Sequence, residues 1–242
     1  MSDVPDHPRR PMCSRRTAVQ AGGLAALGLG LADLARLRQA AGAADQRPPR
    51  AVIFVFLSGG LAQAQTAEER ARKIVSGVCF VCHGVEGEAA SDVFPRLAGQ
   101  HWEYTAKQLD NFKSGKRKST TMAAMVTKLT PGEMEALGRY FEKMPVTPDP
   151  PKEPALAAQG RDLYLQGKPA SGVPACASCH GQDGLGTAAL PRLASQYAGY
   201  LETQLKQFNS RERTNDNAVM HAIVSKLTGL EMAAVAQYLA GQ

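Results

Sequence analysis

The sequence predicts an all-α protein made of two tandem copies of one small helical unit, and three observations carry that prediction. The second half of the chain restates the first over most of its length. Helix-start signals recur at matching places in both halves. Each half also contains two cysteines three apart followed at once by histidine and glycine: Cys79-Phe80-Val81-Cys82-His83-Gly84, then Cys176-Ala177-Ser178-Cys179-His180-Gly181.

The chain begins with a stretch that reads as targeting sequence and is set apart from the fold. Arg15-Arg16 precedes the weakly polar run from Ala21 to Leu31, which resembles a twin-arginine leader. A second export-like unit follows, with Arg47 and Arg50, the apolar run Ala51 to Leu57, and an A-x-A cleavage pattern at Ala62-Gln63-Ala64. This second segment is Sec-like. Residues 1–64 are therefore the expected export leader. Both apolar runs are shorter than the roughly 18 residues of a membrane span, so cleavage is expected, and a membrane anchor would require the leader to be retained.

The leader also distorts the charge. The whole chain of 242 residues carries +6, but residues 1–64 hold eight of its 28 basic and four of its 22 acidic side chains. The remainder is close to balance at +2, which argues against nucleic acid as a partner. A local basic run from Lys113 to Lys118 reads first as a solvated loop and second as a docking patch for an acidic redox partner.

Beyond Gln65, Thr66 and Glu69 form a capping box ahead of the helix that leads into the first cysteine pair. A middle helix is predicted from Trp102 to Phe112 and again from Ala198 to Phe208, with Leu109 and Phe112 (Leu205 and Phe208) on the inward face. Thr130-Pro131-Gly132-Glu133 starts a last helix with a cap, a proline at the first helical position and a closing glutamate. Thr228 and Glu231 repeat that start. Leu137, Tyr140 and Phe141 then form a buried stripe, matched by Val235, Tyr238 and Leu239.

The two copies align closely. Phe94-Pro95-Arg96-Leu97-Ala98-Gly99-Gln100 returns as Leu190-Pro191-Arg192-Leu193-Ala194-Ser195-Gln196, and Tyr104, Gln108, Leu109 and Phe112 return as Tyr200, Gln204, Leu205 and Phe208, at an offset of 96. Met122, Leu129, Thr130, Glu133 and Tyr140 return at an offset of 98, so the second copy has two extra residues in the loop between. Residues 65–145 and 156–242 are the expected domains, joined by a stiff proline-rich linker at 146–155.

The cysteine clusters carry the chemistry. On a helix, residues at i, i+3 and i+4 share a face, so two thiols and an imidazole converge. A bare C-x-x-C also suits zinc or a redox disulfide. A four-thiol zinc site brings its cysteine pairs within about 15 to 20 residues, whereas Cys82 and Cys176 are 94 apart. Each pair therefore needs its own partner, and C-x-x-C-H is the pattern of covalent haem attachment. Cys79 and Cys82, and Cys176 and Cys179, would add across the porphyrin vinyl groups; His83 and His180 would be the proximal iron ligands. Two haem c groups are the expected cofactors. A unit of about 80 to 90 residues is only marginally stable on an apolar core alone, and a buried porphyrin would complete that core.

What lies opposite each histidine decides between carrying electrons and binding a substrate. Met122 follows His83 by 39 residues and Met220 follows His180 by 40, and a soft thioether suits haem iron. Met122 and Met220 are the expected sixth ligands. Met125 is a rival in the first copy, although its counterpart is Ile223; His221 is a rival in the second, although its counterpart is Ala123. His101 matches Tyr197 and reads as a surface or propionate-side residue.

The motifs CxxCHG, FPRLAGQ, YxxxQLxxF, MxxxVxKLT (MxxIVxKLT in the second copy) and the closing tyrosine helix resemble the two-haem class I cytochromes c, in particular the cytochrome c4 group. The resemblance covers about Thr66 to Gln242. It implies two class I cytochrome c domains, each folded around its haem, and it implies that the backbone carbonyls of Pro95 and Pro191 accept from the proximal imidazoles. It further implies a periplasmic electron carrier, with no catalytic residues, that works between a quinol-oxidising complex or dehydrogenase and a terminal oxidase or reductase. The alternatives are the haem subunit of a larger dehydrogenase, or a di-haem peroxidase in which one iron lacks its methionine. The chain departs from the group in its leader and in the acidic loop from Glu86 to Ala90.

Overall fold

The computed structural model describes residues 65–89 and 91–242. The leader, with its cleavage and anchoring, lies outside the described residues. Among those described the regular elements are helical, and the one strand-like pairing is an isolated bridge between Lys168 and Val173. No helix among them is long and apolar enough to cross a membrane.

In the first copy α1 runs from Ala67 to Ile74 and continues through a π-helical turn, Val75–Cys79, into α2, Phe80–His83. The expected capping box is present: Glu69 N–H donates to Thr66 Oγ1 at 3.1 Å, and Thr66 N–H donates to Glu69 Oε2 at 2.9 Å. Helices α3 (Trp102–Lys113), α4 (Thr120–Val126) and α5 (Pro131–Glu142) follow. Ala71 and Val75 of the first helical run pack on Ala136, Leu137, Tyr140 and Phe141 of α5, giving the first core. Burying the larger of these, Val75, Leu137 and Phe141, contributes about 1.5–3 kcal/mol each.

The second copy repeats this order with α6 (Pro154–Gln166), α7 (Ala177–His180), α8 (Ala198–Asn209), α9 (Val219–Val224) and α10 (Gly229–Ala240). Pro154, read from sequence as linker, instead opens α6, where its missing N–H costs nothing. Helix α6 packs mainly on α10, as α1 and α3 pack on α5. These crossings are tight. A Cβ at Gly160 would overlap the Ala234 carbonyl of α10, and one at Gly138 would press on the Trp102 backbone of α3.

The two copies meet around an approximate two-fold axis, and the repeated motif supplies the contacts. Arg96 N–H donates to Gln196 Oε1 at 2.8 Å and Gln196 Nε2 donates to the Arg96 carbonyl at 2.9 Å. The mirror pair joins Arg192 N–H to Gln100 Oε1 at 2.9 Å and Gln100 Nε2 to the Arg192 carbonyl at 3.0 Å. A second reciprocal set lies alongside. Arg117 donates to Tyr200 Oη at 2.8 Å and Gln204 Oε1 at 2.7 Å; Arg213 donates to Tyr104 Oη at 2.8 Å and Gln108 Oε1 at 3.3 Å. Arg117 sits in the run Lys113–Lys118, so that run is not solvated throughout: the Arg117 side chain is buried between the copies.

Candidate haem centres

The short helices α2 and α7 place each cluster. In the first copy the helical path through Val75–Cys79 carries Cys79 into contact with the α1/α5 core, and Cys82 and His83 follow on α2. In the second, Cys176 caps α7 and packs against the core that contains Tyr164, Leu201, Val235 and Leu239. All four thiols are free; Cys79, Cys82 and Cys176 are half-buried and Cys179 is exposed. Burial pushes the Cys79 thiol up, and that of Cys176 to about 11. These groups therefore remain protonated thiols at neutral pH instead of reactive thiolates.

The two imidazoles are the most enclosed members of each set. His83 and His180 are only 8% and 7% exposed. Burial lowers the pKa of both rings, and the nearby Pro95 and Pro191 carbonyls offset it in part. A neutral ring is what a metal requires, because only then does one nitrogen keep a free lone pair. His83 Nδ1 lies 3.1 Å from the Pro95 carbonyl, so Nδ1–H donates and Nε2 is left with that lone pair. In the second copy the Pro191 carbonyl is close enough to act on the ring, but His180 Nδ1 forms no aligned hydrogen bond and stands as a buried nitrogen without a partner.

Met122 lies half-buried on α4, where its N–H donates to Ser119 Oγ at 3.2 Å. Met220 lies on α9, its N–H held by Asp216 Oδ2 at 2.7 Å, and packs against the cluster of Val173, Phe208, Val224, Leu227 and Met232. The rivals are placed differently. Met125 is 50% exposed, while its counterpart Ile223 packs against the core. Both ring nitrogens of His221 are engaged, Nδ1 with the Phe208 carbonyl at 3.0 Å and Nε2 with Arg211 Nε at 3.1 Å. His101 is not a free surface residue either: its Nε2 reaches the Leu185 carbonyl of the other copy at 2.8 Å. Tyr197 Oη makes the matching contact to the Glu88 carbonyl.

A covalently bound haem fits these donors. Each copy offers two unpaired thiols beside one buried neutral imidazole. The described residues contain no group of three or more His, Cys, Asp and Glu side chains that could hold a bare metal ion. Zinc has no tetrahedral set to occupy there.

Sequence reasoning did not foresee the use of Arg117, Arg213, Gln100 and Gln196 in joining the copies. The signal was present, since these polar residues recur at one offset within segments otherwise set by packing.

Comparison with known proteins gives two family matches, one per copy. Residues 66–141 match the model described as cytochrome c oxidase, cbb3-type, subunit III, and residues 157–242 match the model described as cytochrome c. Cytochrome c4 of Thiocapsa roseopersicina is 42% identical over 170 residues, covering 69% of this chain and 88% of that protein. A protein of Thiomonas intermedia named thiosulfate dehydrogenase electron acceptor is 35% identical over 81% of this chain and 92% of its own length. The crystal structure of reduced recombinant cytochrome c4 from Pseudomonas stutzeri superposes with a TM-score of 0.68 at 35% identity, covering 72% of this chain and 97% of the other.

Proposed function

The chain belongs to the cytochrome c4 family of di-haem electron-transfer cytochromes, and from that premise we propose that it is a periplasmic carrier of single electrons between respiratory redox proteins. Two covalently bound haem c groups follow from the family and from the cysteine pairs. Each haem, when bound, supplies an iron that alternates between ferric and ferrous forms. The chain supplies the rest. Cys79 and Cys82, with Cys176 and Cys179, tether the two groups. His83 and His180 would each hold an iron through a neutral imidazole, and Met122 and Met220 would supply sulfur to it. Pro95 orients the His83 ring through the Nδ1–H bond, and Pro191 is assigned the same role for His180. An iron held by both nitrogen and sulfur would offer no position for substrate, so the protein need not be an enzyme.

The observation that carries this reading is the doubling of the whole set on one scaffold. The cysteine pair, the buried histidine, the proline 12 or 11 residues on and the methionine 39 or 40 residues on all occur twice. Domain limits of 65–145 and 156–242, the second extended back to the start of α6 at Pro154, are part of the same proposal, as is export through residues 1–64. A pyridine haemochrome assay combined with intact mass on protein matured in a periplasm tests it. Two haems per chain and a new N-terminus near Gln65 are expected; one haem, or none, would overturn it.

A narrower reading is supported by the Thiomonas intermedia relative: the carrier serves as the electron acceptor of a dehydrogenase. Co-purification with such an enzyme, and reduction by it, would distinguish a dedicated partner from a general shuttle. The peroxidase alternative draws no support from these relatives.

A further inference from the structure

The duplication provides an internal comparison, because positions that share a place in the fold differ in charge between the copies. Between Asn111 and Gly132 the first copy has five basic residues and no acidic one. The matching stretch, Gln207 to Leu230, has three basic and two acidic residues. Of the first set only Arg117 is buried, so four lysines remain exposed. Lys113 turns back to the Leu129 carbonyl at 2.5 Å. Lys116 and Lys118 stand just before α4 and Lys128 just after it, bracketing the helix that carries Met122.

The helix face between them differs too. Ala124 and Met125 are exposed on α4, whereas Ile223, at the place of Met125, packs against the second core. At the place of the first lysines the second copy has Glu212 and Thr214, and Asp216 is engaged with the start of α9. An apolar centre with a charged rim is the composition of a protein interface. A rim of one sign steers a partner of the other.

We propose that the α4 face of the first copy is the docking surface for an acidic redox protein whose electron-exchanging edge is ringed by carboxylates. Electrons then pass between partner and chain through the first copy, and the second exchanges them internally. In each encounter the partner's cofactor loses one electron as one ferric haem becomes ferrous, with no bond made and no proton moved. The proposal rests on the carrier reading above.

Flavodoxin, a small acidic flavoprotein, serves as the probe: its hydroquinone gives one electron to the ferric holoprotein and becomes the semiquinone. The second-order rate is measured by stopped flow against ionic strength, beside the rate with duroquinol, which is uncharged. For the wild type the flavodoxin rate should fall steeply with added salt. The variant K116E/K118E/K128E should lose about tenfold or more of that rate at low salt, while its duroquinol rate and its haem spectrum stay unchanged. The milder K116Q/K118Q/K128Q should lose less, in the same direction. Reversal of the two exposed basic charges in the corresponding stretch of the second copy, R211E/K226E, should leave the flavodoxin rate within about twofold. An unchanged rate in the first-copy variants, or an equal loss in the second-copy variant, would overturn the proposal. So would first-copy variants that lose binding to anionic phospholipid vesicles but keep the flavodoxin rate, since the lysines would then serve a membrane surface. A protein that neither reductant can reduce would count against the carrier reading itself.

Discussion

At the scale of single residues, the two sulfur positions decide the most. Met122→Ala and Met220→Ala should each abolish the sulfur-to-iron charge-transfer band of one haem and leave the other intact, giving one high-spin centre per variant in optical and magnetic spectra. His221→Ala should leave the spectrum of both haems unchanged, because both its ring nitrogens are already engaged. A spectral change in that variant would move the ligand assignment from Met220 to its neighbour. The cysteines, histidines and methionines stand out in sequence as candidates because their chemistry depends on residue type and spacing. His101 was not. Its role depends on a carbonyl at Leu185 in the other copy, and no local pattern encodes a contact between residues 84 positions apart.

At the scale of elements, local signals were reliable where a helix end is fixed by its own neighbours. All three capping boxes anticipated from Thr66/Glu69, Thr130/Glu133 and Thr228/Glu231 are formed. Thr130→Ala and Thr228→Ala should each cost about 1 kcal/mol, read by denaturant unfolding. The closing glutamates also make these caps sensitive to acid. Hydrogen bonds from the Thr130 backbone and from Arg70 hold Glu133 below the usual glutamate range, and Lys168 with the Thr228 backbone does the same for Glu231. A carboxylate with a lower pKa when folded binds its proton more readily in the unfolded chain, so its contribution is present above the unfolded value, about 4.3, and is lost as pH falls through the folded one. The melting temperature should therefore drop from about pH 5 downward, and less so in Glu133→Gln/Glu231→Gln. Helix crossings were less legible. Gly160→Ala should destabilise by about 1–3 kcal/mol or more, because its Cβ meets backbone of α10 that cannot rotate away. An undiminished stability would mean that α6 and α10 can separate freely.

At the scale of the whole molecule, buried polar groups join the copies, while among the described residues each hydrophobic cluster stays within one copy. Burial alone would push the Tyr200 phenol up, but the adjacent Arg117 and Arg213 guanidiniums outweigh it and bring it below the usual tyrosine value. The same phenols, Tyr104 with Tyr200, hold the Arg213 guanidinium protonated in spite of its burial. Arg117→Gln would leave the Tyr200 phenol oxygen without its donor, and Arg213→Gln that of Tyr104, at a cost of about 1–3 kcal/mol each. The double variant should cost more than the sum, because both arginines donate to Gln108 and Gln204 and either one alone keeps those oxygens paired. Calorimetry on the holoprotein checks this, with a single unfolding transition giving way to two as the copies uncouple. Strict additivity would show that the two sites act independently.

The sequence by itself determined the helical class, the duplication, the two haem attachment sites and the candidate sulfur ligands, since each is written in spacing along one chain or in its repetition. Only the tertiary structure decided that the repeated Arg96/Arg192, Gln100/Gln196 and Arg117/Arg213 face one another across the two-fold axis, and that Lys116, Lys118 and Lys128 are left in solvent around α4. Burial and pairing depend on which surfaces meet, and two copies of one motif can meet only after each has folded.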